Sequence, residues 1–218
     1  KARSNLVMEG RLEFRKGVGT FVRRPQPNVN LQRLVSFTEK ARSAGLVPQT
    51  RVLSFRTITV ASLAMLPPVA VAGALELDEE APVYEIERLR SLDGEPVIYE
   101  RRALRADLCP DLREDDLAGS IYTLLHDRYE LVLEGVAQRI RARNVTVSGA
   151  IKLNVRPGAA VLELTGVGQI ADGTPLWYEE TLYRGDTYEF VNQLHASGGE
   201  HQTSLEASER STPDDEPV

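Results

Sequence analysis

Apolar and polar side chains alternate through "RVLSFRTI" (51–58), the period of a strand that buries one face. The same alternation runs through "APVYEIERLR" (81–90) and "EPVIYERRAL" (95–104), and the Asp93-Gly94 pair between them predicts a β-hairpin. Helical spacing appears elsewhere. Ser36 with Glu39 forms a capping box, and Gly45 followed by Pro48 supplies the stop of a first helix. Pro68 opens a short helix over "VAVAGALEL" (69–77). Ile121, Leu124, Leu125 and Arg128 share one face of a third helix, with Ser120 as its N-cap. Between these elements "PQPNVN" (25–30) has neither period and reads as a linker.

The pattern then repeats. "VAGALELDEEAPVYEI" (71–86) parallels "VSGAIKLNVRPGAAVLEL" (147–164), and "DGEPVIYE" (93–100) parallels "DGTPLWYE" (172–179), at offsets growing from 76 to 79. A whole helix, strand and hairpin unit recurring in this way predicts a pseudo-duplicated α+β domain over 50–104 and 129–184. Joined antiparallel hairpins would form one sheet with helices on a face.

Charge divides the 218 residues further. Residues 1–24 hold Lys1, Arg3, Arg11, Arg15, Lys16, Arg23 and Arg24 against Glu9 and Glu13, although the chain as a whole carries −6. Residues 196–218 hold six carboxylates against Arg210 and lack aromatic side chains, which predicts a disordered acidic tail. The single cysteine, Cys109, excludes an internal disulfide framework and a CxxC metal site, points to a reducing cytoplasmic compartment, and is expected to be an inert packed thiol. The longest apolar run, Val60 to Leu75, is interrupted by Ser62 and by Pro67-Pro68, so no membrane segment is predicted.

The candidate chemistry lies in the repeated body. Arg88 and Arg90 are two apart on a strand and leave the same face, where two guanidinium forks suit a phosphate or carboxylate. A three-residue turn would place Arg88 opposite Glu100, and a two-residue turn would place Tyr99 there. As an exposed cross-strand ion pair, Arg88 and Glu100 would contribute under ~1 kcal/mol, and either arginine would support little of the core. Ser120 adds the free N–H groups of a helix start, which suit an anion. His126, His195 and His201 have no catalytic or metal-ligand spacing, and Glu100 and Glu179, considered as an acid/base pair, owe their equivalence to the repeat. No cofactor or metal is expected, and the chain is not expected to be an enzyme.

"SFTEKARSAGL" (36–46), "RLR…DGEP…YE" (88–100), "GSIY" (119–122), "VRPGAAVLEL" (155–164) and "DGTPLWYEETLYRGDTYEF" (172–190) together resemble the UTRA effector-binding domain of HutC-type GntR regulators. That resemblance implies an α+β, chorismate-lyase-like antiparallel sheet over 31–195. "LVMEGRLEFRKGVGTFV" (6–22) resembles the end of a recognition helix and the wing of a winged helix-turn-helix. It assigns 1–24 to a fragment of a DNA-binding domain whose earlier helices precede Lys1, with Arg15, Lys16, Gly17, Gly19, Arg23 and Arg24 meeting DNA and 25–30 as the linker. In sugar-phosphate sensors of this family, residues matching Arg88, Arg90, Ser120 and Tyr122 hold the phosphate and the one matching Glu100 holds the sugar. Tyr183 matches a further pocket tyrosine. Trp177 stands where amino-sugar-phosphate sensors have glutamate. The implied function is a ligand-responsive repressor, a homodimer sensing a small anion. The alternatives are a DNA-independent ligand-binding or dimerisation module and a chorismate-lyase-like enzyme.

Overall fold

The computed structural model describes residues 12–15, 19–22, 28–30 and 37–191. Lys16, Gly17, Arg23, Arg24, the Ser36 cap, His195, His201 and the acidic tail lie outside the described residues. Strands β1 (Leu12–Arg15) and β2 (Gly19–Val22) form an antiparallel hairpin that pairs Arg15 with Gly19. A short strand β3 (Asn28–Asn30) falls inside the stretch read as linker. Its partner is β10 (Glu189–Val191), in parallel register, so the hydrogen bonds that order it come from far along the chain and leave no local period.

Helix α1 (Phe37–Ser43) ends as its glycine predicts. Gly45 sits at φ 75°, and this left-handed turn lets the Leu46 amide reach the Ala41 carbonyl at 2.9 Å. Strand β4 (Pro48–Thr59), helix α2 (Pro68–Leu75), and strands β5 (Pro82–Leu92) and β6 (Glu95–Arg105) follow. Then come α3 (Ile121–Tyr129), β7 (Leu133–Asn144), α4 (Val147–Leu153), β8 (Ala160–Ile170) and β9 (Pro175–Arg184).

These strands form one six-stranded sheet in the order β4-β5-β6-β9-β8-β7, antiparallel throughout. The order is a palindrome of the repeat: β4-β5-β6 and β7-β8-β9 meet at β6 and β9 across a pseudo-twofold axis. The repeat's helices differ from the alignment of 71 with 147. Both α2 and α4 end on a left-handed residue, Glu76 and Asn154, directly after the fully buried Leu75 and Leu153. The equivalence is therefore shifted by 78 residues, because the buried apical leucine and the cap align and the glycines do not.

Both turn alternatives contribute to the β5–β6 hairpin. Asp93 and Gly94 have φ 50° and 84°, the two positive angles of a tight two-residue turn, and Leu92 faces Glu95. A bulge at Val97 then shifts the ladder by one, so Arg88 faces Glu100 as the three-residue turn required.

Helices cover both faces of the sheet, which corrects the expectation of one. On the back, α2 packs over Val83, Ala103 and Tyr178 through Val71 and Leu75, and α4 over Leu89, Tyr99 and Leu182 through Ala150 and Leu153. On the front, α3 and the preceding 3-10 turn (Glu114–Ala118) pack over Tyr84, Ile86, Leu104 and Trp177, while α1 and β10 pack over Ile98 and Tyr183. Cys109 is fully buried in the first of these front layers, where burial pushes its thiol up to about 12, so it is the inert packed thiol its sequence predicts.

Candidate functional site

Between the two front layers the sheet carries a polar strip. Strand alternation puts Arg88 and Arg90 of β5, Glu100 and Arg102 of β6, and Glu179, Thr181 and Tyr183 of β9 on one face. Arg88 is 0% exposed, Arg90 6%, Glu100 4%, Arg102 3% and Glu179 5%. The expected exposed ion pair is thus a buried network, and the two arginines are part of the interior.

Glu100 is its hub. Its Oε1 accepts from Arg88 Nη2 at 2.7 Å and lies 3.4 Å from Arg102 Nη2, and its Oε2 is 3.9 Å from Arg90 Nη1. Burial alone would raise this carboxyl, but Arg88, Arg102 and Arg90 outweigh it and hold it down at about 2. Arg88 also donates through Nη1 to the carbonyls of Leu117 at 3.2 Å and Gly119 at 3.3 Å. This ties the strip to the start of α3, where Ser120 is the N-cap and accepts from the Thr123 amide at 3.3 Å. Arg102 donates to Glu179 Oε2 at 2.5 Å and lies 4.5 Å above the Trp177 ring. Glu100 and then Glu179 overcome the burial that would lower its guanidinium.

Arg90 is different. Among the described residues it makes no hydrogen bond. It stacks on Phe37 of α1 at 4.4 Å, and burial followed by the neighbouring Arg88 lowers its guanidinium to about 10. The Nε atoms of Arg88, Arg90 and Arg102, Arg102 Nη1 and Trp177 Nε1 are buried without a hydrogen-bond partner among the described residues. Three guanidinium groups face two carboxylates here, leaving an excess positive charge in the interior. Such orphaned donors cost about 1–3 kcal/mol each unless something accepts from them.

The aromatic residues line this strip. Trp177 is fully buried, meets Tyr122 of α3 edge-on at 5.6 Å, and lies over Gly168. A Cβ on Gly168 would fall inside the indole's van der Waals envelope, so the glycine is what seats the ring. Tyr183 packs at 4.6 Å from Tyr188 and 5.0 Å from Phe190. Burial and then Glu179 raise the Tyr122 hydroxyl to about 12, and burial holds Tyr183 well above its usual range.

The structure therefore gathers Arg88, Arg90, Glu100, Tyr122, Trp177 and Tyr183 onto one face, with Ser120 at the adjoining helix start. Sequence reasoning did not place Arg102, Thr181, Phe37 or Tyr188 there, and it gave Glu179 no role beyond the repeat. Arg102 and Glu179 were within reach of the alternation rule, two residues from Glu100 and from Trp177. Phe37 and Tyr188 arrive from separate elements and carry no local signal. Of the residues expected to meet DNA, Arg15 and Gly19 lie in the β1–β2 hairpin.

The UTRA domain model matches residues 43–189. The chain is 30% identical to the HTH-type transcriptional repressor PhnF of Mycolicibacterium smegmatis over 90% of its own length and 77% of that protein. It is 29% identical to the HTH-type transcriptional repressor NagR of Bacillus subtilis over 89% and 77%. The crystal structure of PhnF from Mycobacterium smegmatis superposes with a TM-score of 0.78 at 28% identity, covering 90% of this chain and 83% of that one. These matches run through the sheet and its polar strip, and the chain belongs to the UTRA domain family as a ligand-responsive transcription regulator of the GntR/HutC type.

Proposed function

We propose that this regulator is a cytoplasmic, homodimeric repressor whose effector is a small metabolite bearing a phosphate or carboxylate. Arg88, Arg90, Ser120 and Tyr122 hold the anionic group, and Trp177 and Tyr183 close the pocket. The observation that carries this reading is Arg90: a buried guanidinium without a hydrogen bond among the described residues, beside a second guanidinium, in a strip with excess positive charge. An anion placed there would supply the missing acceptors and offset that charge.

The family resemblance supports the remaining steps. The β1–β2 hairpin acts as the wing, with Arg15, Lys16, Gly17, Gly19, Arg23 and Arg24 approaching phosphates. Effector and operator favour different placements of the two DNA-binding domains, so each weakens the other by one coupling free energy, typically ~1–3 kcal/mol. The site has the means to transmit this, because Arg88 joins the sheet to the start of α3 and Arg90 touches α1.

Calorimetric titration with inorganic phosphate and with sulfate tests the anion site. Arg90→Met is expected to weaken phosphate binding roughly tenfold or more, the scale of one charge-assisted hydrogen bond. Equal affinity for wild type and Arg90→Met would refute it.

A further inference from the structure

The resemblance gives Glu100 the task of reading the effector beyond its anionic group, and in this chain three guanidinium groups surround that carboxylate. Arg88 and Arg102 converge on its Oε1, and Arg90 is the neighbour of its Oε2. That cationic shell makes Glu100 first the partner of the arginines, with Oε1 hydrogen-bonded and only Oε2 short of a donor among the described residues. The pseudo-twofold axis supplies a second carboxylate. Glu179 occupies in β9 the place of Glu100 in β6, but its surroundings differ: opposite Glu100 stands Arg88, whereas opposite Glu179 stands Gly166.

The consequence is local and chemical. Glu179 Oε2 is taken, by Arg102 at 2.5 Å and Thr181 Oγ1 at 3.4 Å. Glu179 Oε1 has no hydrogen-bond donor among the described residues, and it faces the space a side chain at position 166 would fill, 3.3 Å from where a Cβ would sit. Tyr122 and Tyr183 also make no hydrogen bond through their hydroxyls among the described residues, and both lie close enough for the Glu179 charge to act on them. Arg102 Nη1 and Trp177 Nε1 on the same stretch of sheet are buried donors without acceptors among the described residues. One free acceptor beside free donors matches a hydroxyl, which donates one hydrogen bond and accepts others. A second anion is disfavoured beside Oε1, because the nearest charge there is that of the Glu179 carboxylate itself.

We propose that Glu179 is the specificity-determining residue of the effector pocket, accepting a hydrogen bond through Oε1 from a hydroxyl group of the effector. The inference rests on the anion reading above and adds a second requirement to it. The ligand class becomes hydroxylated anions, and plain alkyl phosphates are poor ligands.

The test is calorimetry on the whole chain with inorganic phosphate and a pair of esters of similar length, sorbitol 6-phosphate and hexyl phosphate. Wild type is expected to prefer the polyol ester roughly tenfold or more, the scale of one hydrogen bond to a charged group. Two unrelated changes are expected to shrink that preference to about threefold or less: Glu179→Gln, which removes the charge, and Gly166→Ala, which keeps it but fills the space over Oε1. Circular dichroism confirms that each variant is folded, and the alanine variant decides the question where the glutamine variant is not. A preference that survives in both variants, or that is absent in wild type, overturns the assignment while leaving the anion site standing. Loss of the preference in Glu100→Gln with its retention in Glu179→Gln returns the role to Glu100. If none of the three phosphates binds wild type, the anion site falls and this assignment falls with it.

Discussion

The two halves of the sheet share a frame and differ in chemistry. β4-α2-β5-β6 and β7-α4-β8-β9 each have an Asp-Gly turn, a left-handed helix cap after a buried leucine, a buried tyrosine facing back (Tyr99, Tyr178) and a buried glutamate facing front (Glu100, Glu179). Across the hairpins, however, Arg88 of the first half corresponds to Gly166 of the second, and Arg90 to Gly168. One half supplies cationic side chains and the other supplies the room they need. Gly168 admits the indole of Trp177, and Gly166 leaves a gap beside Glu179 Oε1 that Gln138 and Val136 border. Arginines at 166 and 168 as well would place five guanidinium groups around two carboxylates on one strip. The broken symmetry concentrates the cationic side chains on β5 and β6 and leaves β8 the glycines against which Trp177 and Glu179 lie.

The largest expected effect comes from removing an arginine on which the first half's frame depends. Arg88→Met deletes the donors to Glu100 and to the Leu117 carbonyl, both buried, and the donor to the Gly119 carbonyl in a half-buried setting. Breaking a buried, hydrogen-bonded pair from one side costs about 3–5 kcal/mol, so urea denaturation should show a loss of that size. A loss below about 1 kcal/mol would mean that Arg88 belongs to the ligand site alone, as an exposed arginine would.

The second half is tested by giving it back a side chain. Gly168→Ala drives a methyl group into the Trp177 ring, which is fully buried and held between Arg102 and Tyr122. The expected cost is about 1–3 kcal/mol, the range for overpacking a filled core. Trp177 is the chain's single tryptophan, so a shift of its emission to longer wavelength reports the displacement directly. Unchanged emission and stability would show that the indole has another seat and that this glycine is not what the asymmetry needs.

These residues also show what local sequence carries. The Asp-Gly turn, the alternation of β5 and β6, and the Ser120 cap were legible because each depends on neighbours within a few positions. The bulge at Val97 was not, since either turn length satisfied the alternation and only the whole ladder selects a register. β3 was invisible because its partner, β10, lies at the other end of the domain. The arginine pair was legible as chemistry and misjudged as exposure. Burial of Arg88 and Arg90 comes from α3 and α1 closing over the strip, a tertiary event with no signature at positions 88 and 90. Glu179 fell to the opposite error, because its match with Glu100 in the repeat concealed the glycine that sets it apart.

The smallest expected effect separates the two arginines. Arg90 shares the strand face and the burial of Arg88, but it stands opposite Ile98 rather than Glu100. Its nearest carboxylate oxygen is 3.9 Å away, and its Nε is orphaned. Its charge is disfavoured by burial and by Arg88, as its guanidinium near 10 records. Arg90→Met leaves Arg88 and Arg102 against Glu100 and Glu179, a balanced strip, and keeps an apolar stem against Phe37. Replacing a poorly paired buried charge by an apolar chain of similar length is neutral or stabilising, so the ligand-free protein should remain within about 1 kcal/mol of wild type or exceed it. The same substitution abolishes the phosphate-dependent rise in melting temperature if Arg90 is held for the ligand. Loss of about 3 kcal/mol or more in the ligand-free state would instead show that both arginines are structural and that the asymmetry of the halves serves the fold.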